Sequence, residues 1–384
     1  MRFFHLSDLH IGLRLMNRDL SENQRYIFDE IIRYALEEKP DAILIAGDIS
    51  DKSVPSAEAV DLFDYIISKL RRTLPDTEIM MISGNHDSVS RINIYRSILS
   101  DQRIHMIGMP PEKEEDLIER VTLYDDHGPV HFFLLPFVKP SMVKQILGVN
   151  EEGRNLSYDE TIHRLIARED IRRQERNVLV SHQFYLPVGW KTDQVERMDS
   201  EIRTVGNIDE VKADVLDSFD YAALGHIHKP MAVGSEFYRY CGTPLACSVS
   251  EASQEKGIIL IEMEEKGKIS TRVLPLHPMR QVKKIKGILK EVLNQSCEDY
   301  VSVTLTDKAD LDAIDMTERL RQAFPNLLEI RRETYFQANY NKEILSEKES
   351  DPYELCLAFL GKIDEEDQRI LGDMINQVKE AYTE

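Results

Sequence analysis

The chain has 384 residues and a formal net charge of −20; hydrophobic residues make up 42% and charged residues 30%. That length exceeds one ordinary core, so two or more domains are expected, and the composition excludes a disordered or fibrous chain. The acidic excess argues against simple groove binding of nucleic acid, where a basic footprint supplies most of the affinity, unless bound cations or a partner's basic surface reverse the local charge.

No apolar run reaches the length of a membrane span. Met1 to His10 carries His5, Asp8 and His10 within its apolar stretch, unlike a signal peptide, so a cytoplasmic location without membrane association is expected. Phe3 to Leu6 reads as a strand that runs into Ser7-Asp8-Leu9-His10. A helical pattern covers roughly Glu22 to Glu37, strand Ala42 to Ala46 runs into Gly47-Asp48, and a second helix covers Glu58 to Arg72. Ile79 to Ile82 runs into Ser83-Gly84-Asn85-His86-Asp87, Val178 to Val180 into Ser181-His182-Gln183, and Tyr221 to Leu224 into Gly225-His226-Ile227-His228. Strands alternating with helices indicate an α/β layered fold.

Gly257 to Met263 and Ile269 to Leu274 read as strands without helices between them. Near Pro275 and Pro278 the chain turns lysine-rich, which marks a domain boundary. A small α/β unit follows: a helix over Val282 to Leu293, strand Tyr300 to Leu305, helix Leu311 to Phe324 and strand Leu327 to Arg332. Residues 340–351 read as a polar linker. Pro352 to Glu384 reads as two amphipathic helices broken at Gly361, which dock either on their own domain or on a partner. The expected division is 1–278, 279–340 and 341–384.

Cys241, Cys247, Cys297 and Cys356 form no C-x-x-C pair and read as reduced, partly buried thiols. The basic runs at Arg164, Arg168, Arg172, Arg173 and Arg176, and at Arg280, Lys283, Lys284, Lys286 and Lys290, read as solvated faces.

The polar strand ends hold the unusual content. Asp8, His10, Asp48, Asn85, His86, His182, His226 and His228 all follow apolar strands, and in open α/β sheets sites gather just past the carboxyl ends of strands. A single histidine there would be a packing residue; five strand ends offering only Asp, Asn and His are hard to explain that way. The pairs Asp8/His10 and His226/His228 lie two residues apart, which in extended backbone puts both members on one side. Carboxylate, amide and imidazole without thiolate suit Mn²⁺ or Fe²⁺, with Zn²⁺ also compatible and Mg²⁺ less natural. The ligands outnumber the needs of one ion, and Asp48 is best placed to bridge two, as in two-metal phosphoryl chemistry with an activated water. His86 is the expected general acid, with Asn85 as ligand and Asp87 orienting the imidazole. His5, His105, His127, His131, His163 and His277 are expected to be surface or core residues.

The strings Asp8-Leu9-His10, Gly47-Asp48, Gly84-Asn85-His86-Asp87, Ser181-His182-Gln183 and Gly225-His226-Ile227-His228 resemble the calcineurin-like metallophosphoesterase superfamily. Within it, Met1 to Gly12, Gly47-Asp48-Ile49-Ser50-Asp51 with Pro55-Ser56, and Gly242-Thr243-Pro244-Leu245 resemble the SbcD nuclease family. The resemblance implies a four-layer α/β/β/α sandwich with a small capping domain and a helical C-terminal tail. It implies one metal at Asp8, His10, Asp48 and His228, and another at Asp48, Asn85, His182 and His226, with His86 catalytic. It further implies two Mn²⁺, double-strand exonuclease and single-strand or hairpin endonuclease activity on DNA, and roles in DNA repair, recombination and replication. An SbcC-like ATPase partner would dock on the C-terminal helices; the chain has no P-loop string, so ATP use would come from it. A homodimer within a heterotetramer is implied, and Leu62, Phe63, Ile66, Ile67, Ile94, Tyr95, Ile98 and Leu99 are as consistent with that surface as with core packing. Asp51 and Lys52 stand where some relatives carry a histidine, so that residue's role does not transfer.

Two other functions compete. One is a phosphodiesterase on the same site acting on small molecules or phosphoproteins; Val54-Pro55, where protein phosphatases carry Arg-Gly, disfavours the latter. The other is a non-enzymatic DNA-end scaffold, which a complete ligand set disfavours.

Overall fold

The computed structural model describes residues 1–94, 96–190, 194–195, 197–201, 209–307, 313–333, 367–368 and 371. Met1–Glu333 form one compact unit and Thr334–Glu384 a second. Apart from three positions, the expected linker and tail helices lie outside the described residues, as do Cys356 and Tyr95.

Two six-stranded sheets build the first unit. One runs Ile269–Pro275, Gly257–Met263, Arg2–Leu6, Ala42–Ala46, Glu78–Ile82, Ile104–Ile107; the other runs Met231–Val233, Ser235–Tyr240, Tyr221–Gly225, Arg176–His182, Gly128–Leu135, Glu119–Asp125. Strand Ala42–Ala46 shows why they stack. It is buried at all five positions, with Ala42, Leu44 and Ala46 in the core shared by the sheets and Ile43 and Ile45 in the core shared with helices. An all-apolar strand covered on both faces is the signature of a parallel sheet interior. Phe3 seals the inter-sheet core edge-on against Phe132 and Tyr221, at ring distances of 5.4 and 5.8 Å.

Helices cover the outer faces. Helix Ser21–Glu38 buries Ile27, Phe28, Ile31, Ile32 and Ala35, one stripe at helical spacing, and stops where Lys39 turns left-handed (φ 50°) ahead of Pro40. Helix Ala57–Thr73 starts on Ser56, whose hydroxyl accepts from the Ala59 N–H, and buries Ala59, Leu62, Ile66 and Leu70. On the other sheet, helix Tyr158–Ala167 packs Ile162, Leu165 and Ile166 against Phe133, Leu179 and Leu224. The four layers, α/β/β/α, are those expected.

A three-stranded parallel sheet, Val282–Gly287, Tyr300–Leu305 and Leu327–Arg332, carries helices Leu289–Leu293 and Ala313–Ala323 around a core of its own. The helix expected over Val282 to Leu293 is therefore wrong in its first half, which is strand. Val282, Ile285, Leu289 and Val292 recur at helical intervals, but Val282 to Gly287 pairs residue by residue with Tyr300 to Leu305. That ladder outweighs a short periodic signal, and the helix begins only after Gly287, where the Leu289 N–H finds the Asp307 carboxylate at 2.8 Å. Val282 and Tyr300 also share a core with Leu13, Leu15, Leu20, Cys247 and Val249.

Of the apolar residues suited to a dimer surface, Leu62 and Ile66 are core, and Phe63, Ile67 and Leu99 pack against it. Ile94 and Ile98 are exposed.

Candidate metal centre

Parallel pairing puts the carboxyl ends of three strands side by side in one sheet and of two in the other. Leu6 lies opposite Ile45, Ala46 opposite Ile82, and Gly225 opposite His182. The loops beyond them are clamped by main-chain bonds: the Asp8 N–H donates to Gly47 O at 3.0 Å, His10 N–H to Asp48 O at 3.0 Å, and Ile11 N–H to Ile49 O at 2.9 Å. The second sheet is tied in where the His226 N–H donates to Asp8 Oδ1 at 3.0 Å, and the His86 N–H closes on Asp48 Oδ1 at 2.9 Å.

Four of the expected ligands hold positive φ: Asp8 at 52°, His10 at 43°, Asp48 at 48° and His226 at 105°. Such conformations cost side-chain-bearing residues of order 1–3 kcal/mol each and persist where the surroundings over-determine them. Glycine allows the close approach beside them: a Cβ at Gly84 would run into the Asp48 carboxylate, and one at Gly225 into the Ala46 carbonyl.

The side chains converge on two neighbouring points. Ligand atoms of Asp8, His10, Asp48 and His228 lie within 4.8 Å of one another, all buried. His182 Nε2 and His226 Nδ1 both meet Asn85 Oδ1, at 3.0 and 2.9 Å, and His182 Nε2 lies 3.4 Å from Asp48 Oδ2. Asp48 thus borders both groups. His86 stands at the edge, its Nε2 3.9 Å from Asp48 Oδ2 and its ring edge-on to His10.

Hydrogen bonding fixes one proton on each of two rings, His182 and His228. His182 Nδ1 lies 2.8 Å from Ala46 O, which can only accept, so Nδ1 holds a proton and Nε2, facing Asn85 Oδ1 and Asp48 Oδ2, is the nitrogen at which a cation would replace a proton. His228 Nδ1 meets Ser200 Oγ at 2.8 Å and Glu251 Oε1 at 3.4 Å; Ser200 donates onward to Glu251, leaving His228 Nε2 bare, 3.2 Å from His10 Nε2. Imidazoles anchored from behind, each with its other ring nitrogen turned toward a carboxylate as in His182 and His228, are what divalent cations fit. The donor set passes that test.

The electrostatics agree. Burial pushes the Asp8 carboxyl up. Burial would also raise Asp48, but His182, His10 and His86 outweigh it and hold it ionised. Burial would lower His182, yet the Asp48 charge pushes it up to about 9, so this pocket collects positive charge. Burial lowers His10 to about 3 and keeps its ring neutral.

Asp87 does not orient His86. Its carboxylate accepts from the N–H groups of Ile49, Ser50 and Gly84 and staples two loops together, while His86 Nδ1 bonds the Asp51 carbonyl at 3.1 Å. Burial and the Asp48 charge push Asp87 up to about 6. His5, His105, His131, His163 and His277 bond elsewhere, to Tyr221, Glu78, Glu175, Asp159 and Glu30.

Sequence reasoning missed the layer behind the ligands. Glu251 accepts from Thr243 at 2.9 Å and from the buried Lys256 ammonium at 2.6 Å. Burial would raise its carboxyl, but His228 and Lys256 outweigh it and hold Glu251 below the usual carboxylate range. Arg197 donates to His226 Nε2 at 3.0 Å and to Glu201 at 2.9 Å, and lies over the Phe184 ring. None of these follows an apolar strand, so no positional signal marked them.

Residues 1–230 match the family model described as calcineurin-like phosphoesterase, and residues 275–360 match the SbcD C-terminal model, described as type 5 capsule protein repressor C-terminal domain. Similar solved structures include the GAP50 anchor in the inner membrane complex of Plasmodium. It is 13% identical at TM-score 0.43, covering 86% of this chain and 96% of that one. A dimetal phosphatase from Danio rerio is 13% identical at TM-score 0.40, covering 71% and 95%. A Thermus thermophilus protein is 12% identical at TM-score 0.39, covering 71% and 98%. At TM-scores this low the overlaps carry no argument.

Proposed function

The chain belongs to the calcineurin-like phosphoesterase family and is of the SbcD type, and on that premise we propose that it is a metal-dependent nuclease subunit that cuts DNA. The observation that carries the reading is the convergence of Asp8, His10, Asp48, Asn85, His182, His226 and His228 on two neighbouring points that Asp48 borders. Asp8, His10, Asp48 and His228 would hold one cation and Asp48, Asn85, His182 and His226 the other, with Mn²⁺ suited to this thiolate-free set. Bound there, two cations supply a hydroxide at neutral pH and offset charge on the phosphoryl oxygens.

The chain's own residues do the rest. Ala46 O and the Ser200–Glu251 pair hold His182 and His228 in the ligating tautomer. Asp87 fixes the Asp48 and Asn85 loops relative to each other. His86, part-exposed at the rim, delivers a proton to the leaving oxygen, oriented by the Asp51 carbonyl.

DNA affinity is assigned to the cations and to a partner's surface, because several members of the basic runs are answered by acids: Arg164 by Glu160, Lys283 by Asp299, Lys286 by Glu333. The SbcD C-terminal match supports a partner of SbcC type, an ATPase gating double-strand exonuclease and hairpin endonuclease action in DNA repair, recombination and replication. Homodimerisation, a cytoplasmic location and the division 1–278, 279–340, 341–384 belong to the same proposal. Among the described residues no helix is long and apolar enough to cross a membrane.

The test is release of nucleotides from linear and hairpin DNA with Mn²⁺, beside a nitrophenyl phosphodiester. Loss of DNA cutting in His10→Ala and His86→Ala, with Mn²⁺ binding kept only in the latter, is the expected pattern. A metal-loaded chain that cleaves the small diester and ignores DNA overturns the nuclease reading.

A further inference from the structure

Cys247 reads from the sequence as a bland buried thiol. It lies on the loop after Gly242-Thr243-Pro244, and its sulfur falls within 4.8 Å of ligand nitrogens of both His10 and His228, all three residues being buried. Among the described residues the thiol's hydrogen bond is a weak one, to Leu245 O at 3.6 Å. His10 adds a second observation: its Nδ1 is buried and makes no hydrogen bond among the described residues, with Asp51 Oδ1 at 3.7 Å. Two imidazoles and a thiol around one point form a different donor set from the carboxylate-rich one that shares His10 and His228.

We infer that Cys247 gives this centre a second coordination mode, in which Cys247, His10 and His228 capture a soft divalent cation, Zn²⁺ above all, in competition with the Asp8–His10–Asp48–His228 mode. This deepens the reading above and rests on it. Hard cations prefer the carboxylates and leave the sulfur protonated; thiolate with imidazole selects Zn²⁺ and its chemical kin. Capture exchanges the thiol proton for a metal–sulfur bond, one proton passing to solvent per cation bound. Because both modes need His10 and His228, Zn²⁺ held by sulfur pulls the pair away from Asp8 and Asp48 and inhibits the hydrolase. The loop thereby makes the centre's activity depend on which divalent ion reaches it first.

Co²⁺ serves as the probe, since cobalt–thiolate bonds absorb in the near ultraviolet and cobalt bound by oxygen and nitrogen alone does not. The full chain loaded with Co²⁺ is expected to show that charge-transfer absorption, and Cys247→Ser to lose it while keeping the visible bands of bound Co²⁺. In competition, Zn²⁺ should displace Mn²⁺ more weakly from Cys247→Ser and from Cys247→Val, by at least the roughly 10- to 100-fold that losing an outer partner costs a metal site. Bound Co²⁺ without charge-transfer absorption in the wild type overturns the inference and leaves the metal centre standing. Equal Zn²⁺ competition in wild type and both variants does the same. Failure of the wild type to bind Co²⁺ at all overturns this inference and the two-metal reading together.

Discussion

Replacing Glu251 with Gln probes the layer behind His228. Glu251 is 1% exposed and Lys256 7%, and their charged atoms stand 2.6 Å apart. Breaking a buried pair from one side costs about 3–5 kcal/mol, because the other charge is left uncompensated. Lys256 keeps Thr243 Oγ1 at 2.6 Å and Gln254 Oε1 at 2.7 Å, so the lower end, about 3 kcal/mol, applies here. The urea midpoint should fall accordingly. The double change Glu251→Gln with Lys256→Met removes both charges and should return stability close to wild type. Metal affinity should not return with it, since His228 Nδ1 has lost its carboxylate and keeps only Ser200 Oγ at 2.8 Å. Mn²⁺ binding by calorimetry should therefore stay about tenfold weaker in the double variant. Two results refute the reasoning: a single variant within about 1 kcal/mol of wild type, or a double variant that binds Mn²⁺ at full strength.

Gly225→Ala puts a methyl into the Ala46 carbonyl and within 2.8 Å of His182 Nδ1, forcing the sheets apart at the site. Thermal unfolding should show a loss of about 3 kcal/mol or more, and equilibrium dialysis a loss of Mn²⁺. Asp125 is ion-paired with Arg176, which holds its carboxyl well below the ordinary range. A depressed folded-state pKa stabilises above the unfolded value of about 3.9 and that contribution fades as pH falls toward the folded value. Wild-type urea midpoints should thus drop on acidification below about pH 4, and those of Asp125→Asn less steeply. Parallel curves would show that the pair contributes nothing.

The sequence alone determined the alternation of strands and helices and which polar side chains close the apolar strands, because both are written in local pattern. All-apolar strands such as Ala42–Ala46 must be covered on both faces, and Asp, Asn and His set directly after five strands meet because three of those strands pair in one sheet, two in the other, and the sheets stack. It could not determine Glu251, Lys256, Arg197 or the nearness of Cys247 to His10, since those contacts join segments up to hundreds of residues apart and leave no periodic trace. Nor could it decide that Asp87 staples loops while the Asp51 carbonyl orients His86: neighbours in sequence at a turn diverge in space, and only the folded backbone sets which groups the Asp87 carboxylate and the His86 ring meet. Val282 to Gly287 makes the same point in the small sheet, where a partner strand supplied hydrogen bonds that overrode the helical spacing of its own side chains.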